Sequence, residues 1–87
     1  MRIKKTAKAG TLESNDLYII VEPMEGDGIE IDLESIVLAQ FGEQIRQVLL
    51  ETATALGVKG IRIIAKDRGA LDYTIRARLE TAVKRAI

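Results

Sequence analysis

The chain has 87 residues, 47% of them apolar, with 13 bases balanced by 13 acids and neither Cys nor His. That scale predicts one small folded domain spanning residues 1–87, and with aromatics at 3% its core must be aliphatic. The missing Cys excludes disulfides and thiolate sites, and the missing His removes the commonest general base, the commonest metal ligand and the Ser–His and Cys–His dyads.

No apolar run approaches the roughly 20 residues that span a bilayer, and no basic start leads through an apolar stretch to a small-residue cleavage site. A chain of this kind suits a reducing cytoplasm and predicts no membrane partner. Its charge is unevenly placed. Residues 1–8 carry four bases and no acid, residues 9–45 nine acids and no base, and residues 46–87 nine bases against four acids. The acidic block is either a field that steers a positively charged partner or simply a solvated face.

In chain order, Arg2 to Lys8 mixes Ile3 and Ala7 with lysines, which fits either a frayed tail or the start of an edge strand. Ala9–Leu12 is expected to continue as the first strand. Ser14-Asn15-Asp16 is turn chemistry, since short polar side chains bond nearby backbone and tolerate unusual φ/ψ. Ser14 is therefore expected on an exposed hairpin tip.

Leu17–Glu22 reads as the second strand, with Leu17, Ile19 and Val21 on one face, and Pro23 closes it. Ile29–Glu34 alternates strictly between aliphatic and acidic residues, the pattern of a half-buried strand with one wet side. A helix is expected to start between Ser35 and Gln40. Phe41, Ile45, Val48, Leu49, Thr52, Ala53 and Leu56 draw its apolar stripe, and Gly57 stands where a left-handed C-cap belongs. Gly42 inside that helix costs about 1 kcal/mol against Ala, a hint of close packing or a late start.

Gly60–Lys66 reads as the fourth strand and Asp67-Arg68-Gly69 as a turn. Asp72 is the expected N-cap of a last helix whose stripe is Leu71, Ile75, Leu79, Val83 and Ile87. The basic residues near its end suit the helix dipole. The fold class is thus α+β, in the order β-β-β-α-β-α. Two hairpins and a strand–helix–strand unit would build a four-stranded mixed sheet with two helices on one face.

Ser14 is the one candidate for chemistry. No His or Lys follows it in the hairpin to activate it, so modification would need a base supplied by another protein. Glu30, Asp32 and Glu34 lack the pattern of a calcium loop and read as solvated surface, so no metal is expected. Zero net charge and few aromatics argue against nucleic acid despite the basic last helix. Gly69-Ala70-Leu71-Asp72 lacks the Gly-Lys-Ser/Thr ending of a phosphate loop and reads as a helix start, or else as a partner contact.

Gly10-Thr11-Leu12-Glu13-Ser14-Asn15-Asp16 closely resembles the prosthetic-group segment of the citrate lyase acyl carrier proteins, the gamma subunits of that enzyme. Further matching pieces follow in order: Gly28–Ile31, Gln40-Phe41-Gly42 with Ile45-Arg46, Leu56-Gly57-Val58, and Gly69–Asp72 with Ile75–Arg78. Arg68 and Tyr73 depart from the Lys and Cys of that pattern.

The resemblance implies a non-catalytic carrier. Ser14 would hold 2'-(5''-phosphoribosyl)-3'-dephospho-coenzyme A through a phosphodiester, attached by a holo-carrier synthase transferase. It implies as partners the alpha subunit, which exchanges acetyl for citryl on the thiol, and the beta subunit, which cleaves citryl to oxaloacetate. The carrier of malonate decarboxylase and an unmodified interaction module are the alternatives.

Overall fold

A computed structural model describes residues 1–87 as β1 (Ala7–Gly10), β2 (Leu17–Pro23), β3 (Ile29–Ser35), α1 (Leu38–Leu56), β4 (Ile61–Asp67) and α2 (Asp72–Ala86). The strands form one mixed sheet in the order β1-β2-β4-β3. β1 and β4 both run antiparallel to β2, and β3 lies parallel to β4. Leu17, Ile19, Val21, Ile61, Ile63 and Ala65 are fully buried on the face that meets the helices. α2 covers β1 and β2, α1 covers β3, and the two helices pack on each other.

The α+β class, the element order and the two-helix face are as the residue pattern predicts. The second hairpin is not. β2 and β3 follow one another in sequence, yet β4 lies between them. The strand patterns explain the choice. β4 has apolar residues on both of its faces at Ile63 and Ile64, which suits a central strand, whereas β3 exposes Glu30, Asp32 and Glu34 along a wet edge. The β2–β3 loop therefore reaches across β4, held by Met24 N–H donating to Gly60 O (2.9 Å) and Gly60 N–H to Gly28 O (3.0 Å).

β1 lies two residues earlier than the expected Ala9–Leu12. Gly10 takes φ +86° and turns the chain out of the ladder, which ends the strand. The segment before β1 is anchored rather than frayed: Ile3 is buried and Lys4 N–H donates to Ala86 O (2.8 Å).

α1 starts late, at Leu38, and Gly42 is buried beneath the Leu38 side chain, so both hints of the sequence hold. Gly57 closes the helix at φ +70°, its N–H on Thr54 O (3.0 Å).

Four expectations for helix residues fail. Phe41, in the first turn of α1, is 49% exposed, Leu71, just before α2, is 58% exposed, and Ile87 is exposed past the end of α2. Asp72 is the first residue inside α2 and Leu71 is its N-cap, in extended conformation. No side chain caps α2; Asp67 instead shapes the loop that leads into it, accepting the N–H groups of Gly69 (3.1 Å) and Ala70 (2.9 Å). Asp72 keeps the favourable place of an acid in the first turn.

Candidate functional site

Leu17 pairs with Asp67, and Ser35 with the same Asp67, so the β1–β2, β3–α1 and β4–α2 connections all leave one end of the sheet. Ser14 stands at that end, exposed, in the turn between Gly10 and Leu17. Its hydroxyl takes no part in the hydrogen bonds that hold the turn.

Asp16, 9% exposed, organises them. Its carboxylate accepts the Thr11 hydroxyl (2.8 Å), the Leu17 N–H (2.8 Å) and two guanidinium N–H groups of Arg78 (2.9 and 2.8 Å). Such a bidentate pair fixes geometry as well as charge. The Arg78 hydrogen bonds, helped by those from Thr11 and Leu17, hold the Asp16 carboxyl below the usual carboxylate range despite its burial. The same contact raises Arg78 above its ordinary value. A carboxylate so engaged is a poor proton acceptor, so Asp16 does not activate Ser14.

The turn is also stitched to the β4–α2 loop. Asn15, in left-handed conformation at φ 64°, donates its N–H to Arg68 O (2.8 Å), and Arg68 N–H donates to Asp16 O (2.8 Å). Gly10 is a second fixed point, because a β-carbon there would lie 1.9 Å from Leu17 O.

The β4–α2 loop has a hub of its own. Asp67, 2% exposed, accepts the Ser35 hydroxyl (2.7 Å) besides the two loop N–H groups, which joins the β3–α1 connection to it. The Ser35 hydroxyl in turn accepts Val37 N–H (3.1 Å). Two buried carboxylates thus lock three loops around an idle hydroxyl.

Beside the turn lies an open cavity of about 460 Å³, walled by Val37, Phe41, Ile45, Ala70 and Leu71. Gln44 and Asp72 complete the wall and bond to each other, Gln44 Nε2 donating to both Asp72 oxygens (3.1 and 3.3 Å). Gly69 joins the turn to the cavity: it lines the cavity, and a β-carbon on it would lie 3.7 Å from Asn15 Oδ1.

Glu30, Asp32 and Glu34 stay apart from this end's chemistry, on the exposed side of β3, where Glu30 accepts a hydrogen bond from Arg62 (3.0 Å). Arg78, Asp67 and the cavity have no local sequence signal that marks them as part of this end. Arg78 does border the Ile75–Leu79 stripe, and a guanidinium there lies within reach of whatever the helix covers.

The family described as ACP: malonate decarboxylase delta subunit (MdcD) matches residues 4–86. The citrate lyase acyl carrier protein of Halothermothrix orenii is 51% identical over 99% of this chain and 90% of its own length. Those of Streptococcus mutans and Streptococcus uberis are 55% and 57% identical, each over 99% of this chain and 84% of the relative. In fold, a chain in the crystal structure of a Pseudomonas malonate decarboxylase hetero-tetramer in complex with malonate superposes with a TM-score of 0.85. It is 20% identical, and the match covers 97% of this chain and 86% of that one.

A family match across residues 4–86 and relatives at 51% identity and above over 99% of the chain leave one conclusion: it belongs to the citrate lyase acyl carrier protein family, whose members carry acyl groups rather than transform them.

Proposed function

We propose that residues 1–87 act as one acyl carrier domain of a cytoplasmic citrate lyase, with Ser14 as the attachment point of 2'-(5''-phosphoribosyl)-3'-dephospho-coenzyme A. The observation that carries the reading is the contrast inside the turn: Asp16, Asn15 and Gly10 are fixed, while the Ser14 hydroxyl is exposed and unengaged. A group hung there moves freely without loosening the fold. The residues suit such a group in another respect. The chain has no Cys, so a thioester carrier of this sequence needs a thiol from outside.

When bound, the arm supplies a terminal thiol for acetyl and citryl thioesters, which the alpha subunit exchanges and the beta subunit cleaves to oxaloacetate. The chain itself presents Ser14 to the synthase transferase, holds the turn in shape through Asp16 and Arg78, and brings the load within tethered reach of both active sites. Tethering makes each transfer effectively intramolecular. Nothing in the turn deprotonates Ser14, so the base for attachment belongs to the transferase.

The malonate decarboxylase carrier is a second reading, favoured by the description of the matching family and by the shared fold. The identity to citrate lyase carriers outweighs it.

The test is loading by the purified transferase. Wild type and Ser35→Ala are expected to gain the mass of one arm and Ser14→Ala none. Loading of Ser14→Ala at the wild-type rate would overturn the assignment. Exchange of citryl but not malonyl onto the loaded chain separates the two lyase-type readings.

A further inference from the structure

The cavity beside the Ser14 turn takes no part in holding the turn or presenting its hydroxyl. Its walls are apolar at Val37, Phe41, Ile45, Ala70 and Leu71, and two of these, Phe41 and Leu71, stand 49% and 58% exposed. Other concavities of the surface are as large, but this one is walled mainly by large apolar side chains left half-covered, which suits a small apolar group. The polar part of the wall is a single Gln–carboxylate pair, Gln44 with Asp72, and the lining holds no cation.

We propose that this cavity is the resting seat of the uncharged pantetheine end of the arm attached at Ser14, its phosphates staying in solvent, and that it takes that end in its thiol or acetyl form but not when it carries citryl. The inference rests on the Ser14 reading. Two observations choose this occupant. The anchor turn and the cavity share a wall: Asn15 N–H is bonded to Arg68 O, and the next residue, Gly69, lines the cavity against the Asn15 side chain. A ligand tethered so close has an effective concentration of roughly millimolar, so an intrinsic affinity too weak to hold a free molecule still fills the seat.

The charge of the lining sets the selectivity. Asp72 adds a carboxylate with no compensating base, so a neutral end group is accepted and a polycarboxylate is repelled into solvent. The seat shelters the arm between visits and releases it when citryl is loaded.

The missing cysteines make the proposal directly measurable, because the arm's thiol is the sole thiol of a loaded chain. The full-length carrier is loaded, its modification verified by intact mass, and its alkylation by iodoacetamide timed against free pantetheine. A seat occupied half to four-fifths of the time slows alkylation about 2- to 5-fold.

Leu71→Glu puts a charge into the wall at an exposed position and is expected to restore the free rate, while circular dichroism reports an unchanged fold. Amide shifts of Gly69–Asp72 should differ between unloaded and acetyl-loaded wild type, and return towards the unloaded values with citryl. A verified loaded chain that reacts as fast as free pantetheine, or Leu71→Glu with protection intact, overturns the seat and leaves Ser14 untouched. Protection that arises only when the large subunits are added assigns the cavity to a protein partner instead. Absence of any loading at Ser14 removes the parent reading and the seat with it.

Discussion

The two ends of the sheet are built on different plans. At the Ser14 end, three loops are locked by the buried carboxylates of Asp16 and Asp67, yet the surface above them carries Leu12, Ile36, Leu38, Phe41, Leu71 and Tyr73 exposed. At the other end, the N-terminal segment closes the molecule. The Met1 ammonium donates to Gly57 O (2.8 Å), Arg2 donates to Gly26 O (2.8 Å) and pairs with Asp27, and Lys59 N–H donates to Met1 O (2.9 Å). Here the polar contacts lie in solvent, with Arg2 and Asp27 53% and 72% exposed.

The contrast separates the contacts that hold the fold from those that only seal its surface. Desolvated, multiply bonded carboxylates fix shape, whereas exposed ion pairs do little more than close a seam. The end with fixed loops carries six of the nine exposed large apolar side chains, against Met1, Leu50 and Ile87 elsewhere.

Substitutions sharpen the contrast by size of effect. Gly10→Ala should be the most damaging, at about 3 kcal/mol or more, because the new β-carbon meets backbone at 1.9 Å and φ is positive. Urea denaturation measures it, and a loss below about 1 kcal/mol would mean that the turn yields.

Asp16→Ala comes next, at about 2 kcal/mol, discounted from a fully buried pair because Arg78 is 41% exposed and can return to water. Combining it with Arg78→Ala in a double-mutant cycle should show coupling of about 1 kcal/mol or more. The pair also predicts a pH dependence. With the folded Asp16 carboxyl held below its unfolded value, its contribution is full above the ordinary carboxylate value of about 3.9 and is lost as pH falls through the lower folded value. Asp16→Asn should flatten that part of the acid-unfolding profile.

Arg2→Ala, at the opposite end, is expected to cost less than about 1 kcal/mol, and an equal loss to that of Asp16→Ala would erase the distinction between the ends. Ser14→Ala should be the mildest of all, within about 0.5 kcal/mol of wild type in the same assay.

Much of this architecture is legible in local pattern. The alternation in β3, the i+4 stripes, Gly57 and the exposed Ser14 turn each follow from neighbours within a few residues. What escapes is non-local. Nothing near Pro23 or Ile29 says that β4 will enter between them, since pairing is decided by which strand loses most water at the centre.

The clamp joins Asp16 to Arg78, residues 62 positions apart, and no spacing rule connects them. Phe41 and Leu71 sit correctly on their stripes but stay exposed, so periodicity alone predicts burial that the fold does not give them. Asp72 was the obvious cap by type. The helix starts one residue earlier than that cap would place it, on an extended Leu71, after a loop whose N–H groups Asp67 holds from the end of the preceding strand.

On the proposed reading, a fixed turn presents one idle hydroxyl, that of Ser14, for a tether. Peptide mass mapping of the chain isolated from citrate-fermenting cells tests it most directly. The fragment containing Ser14 should bear the full nucleotide arm and every other fragment should be bare. A chain that supports citrate cleavage while Ser14 is recovered unmodified would contradict it.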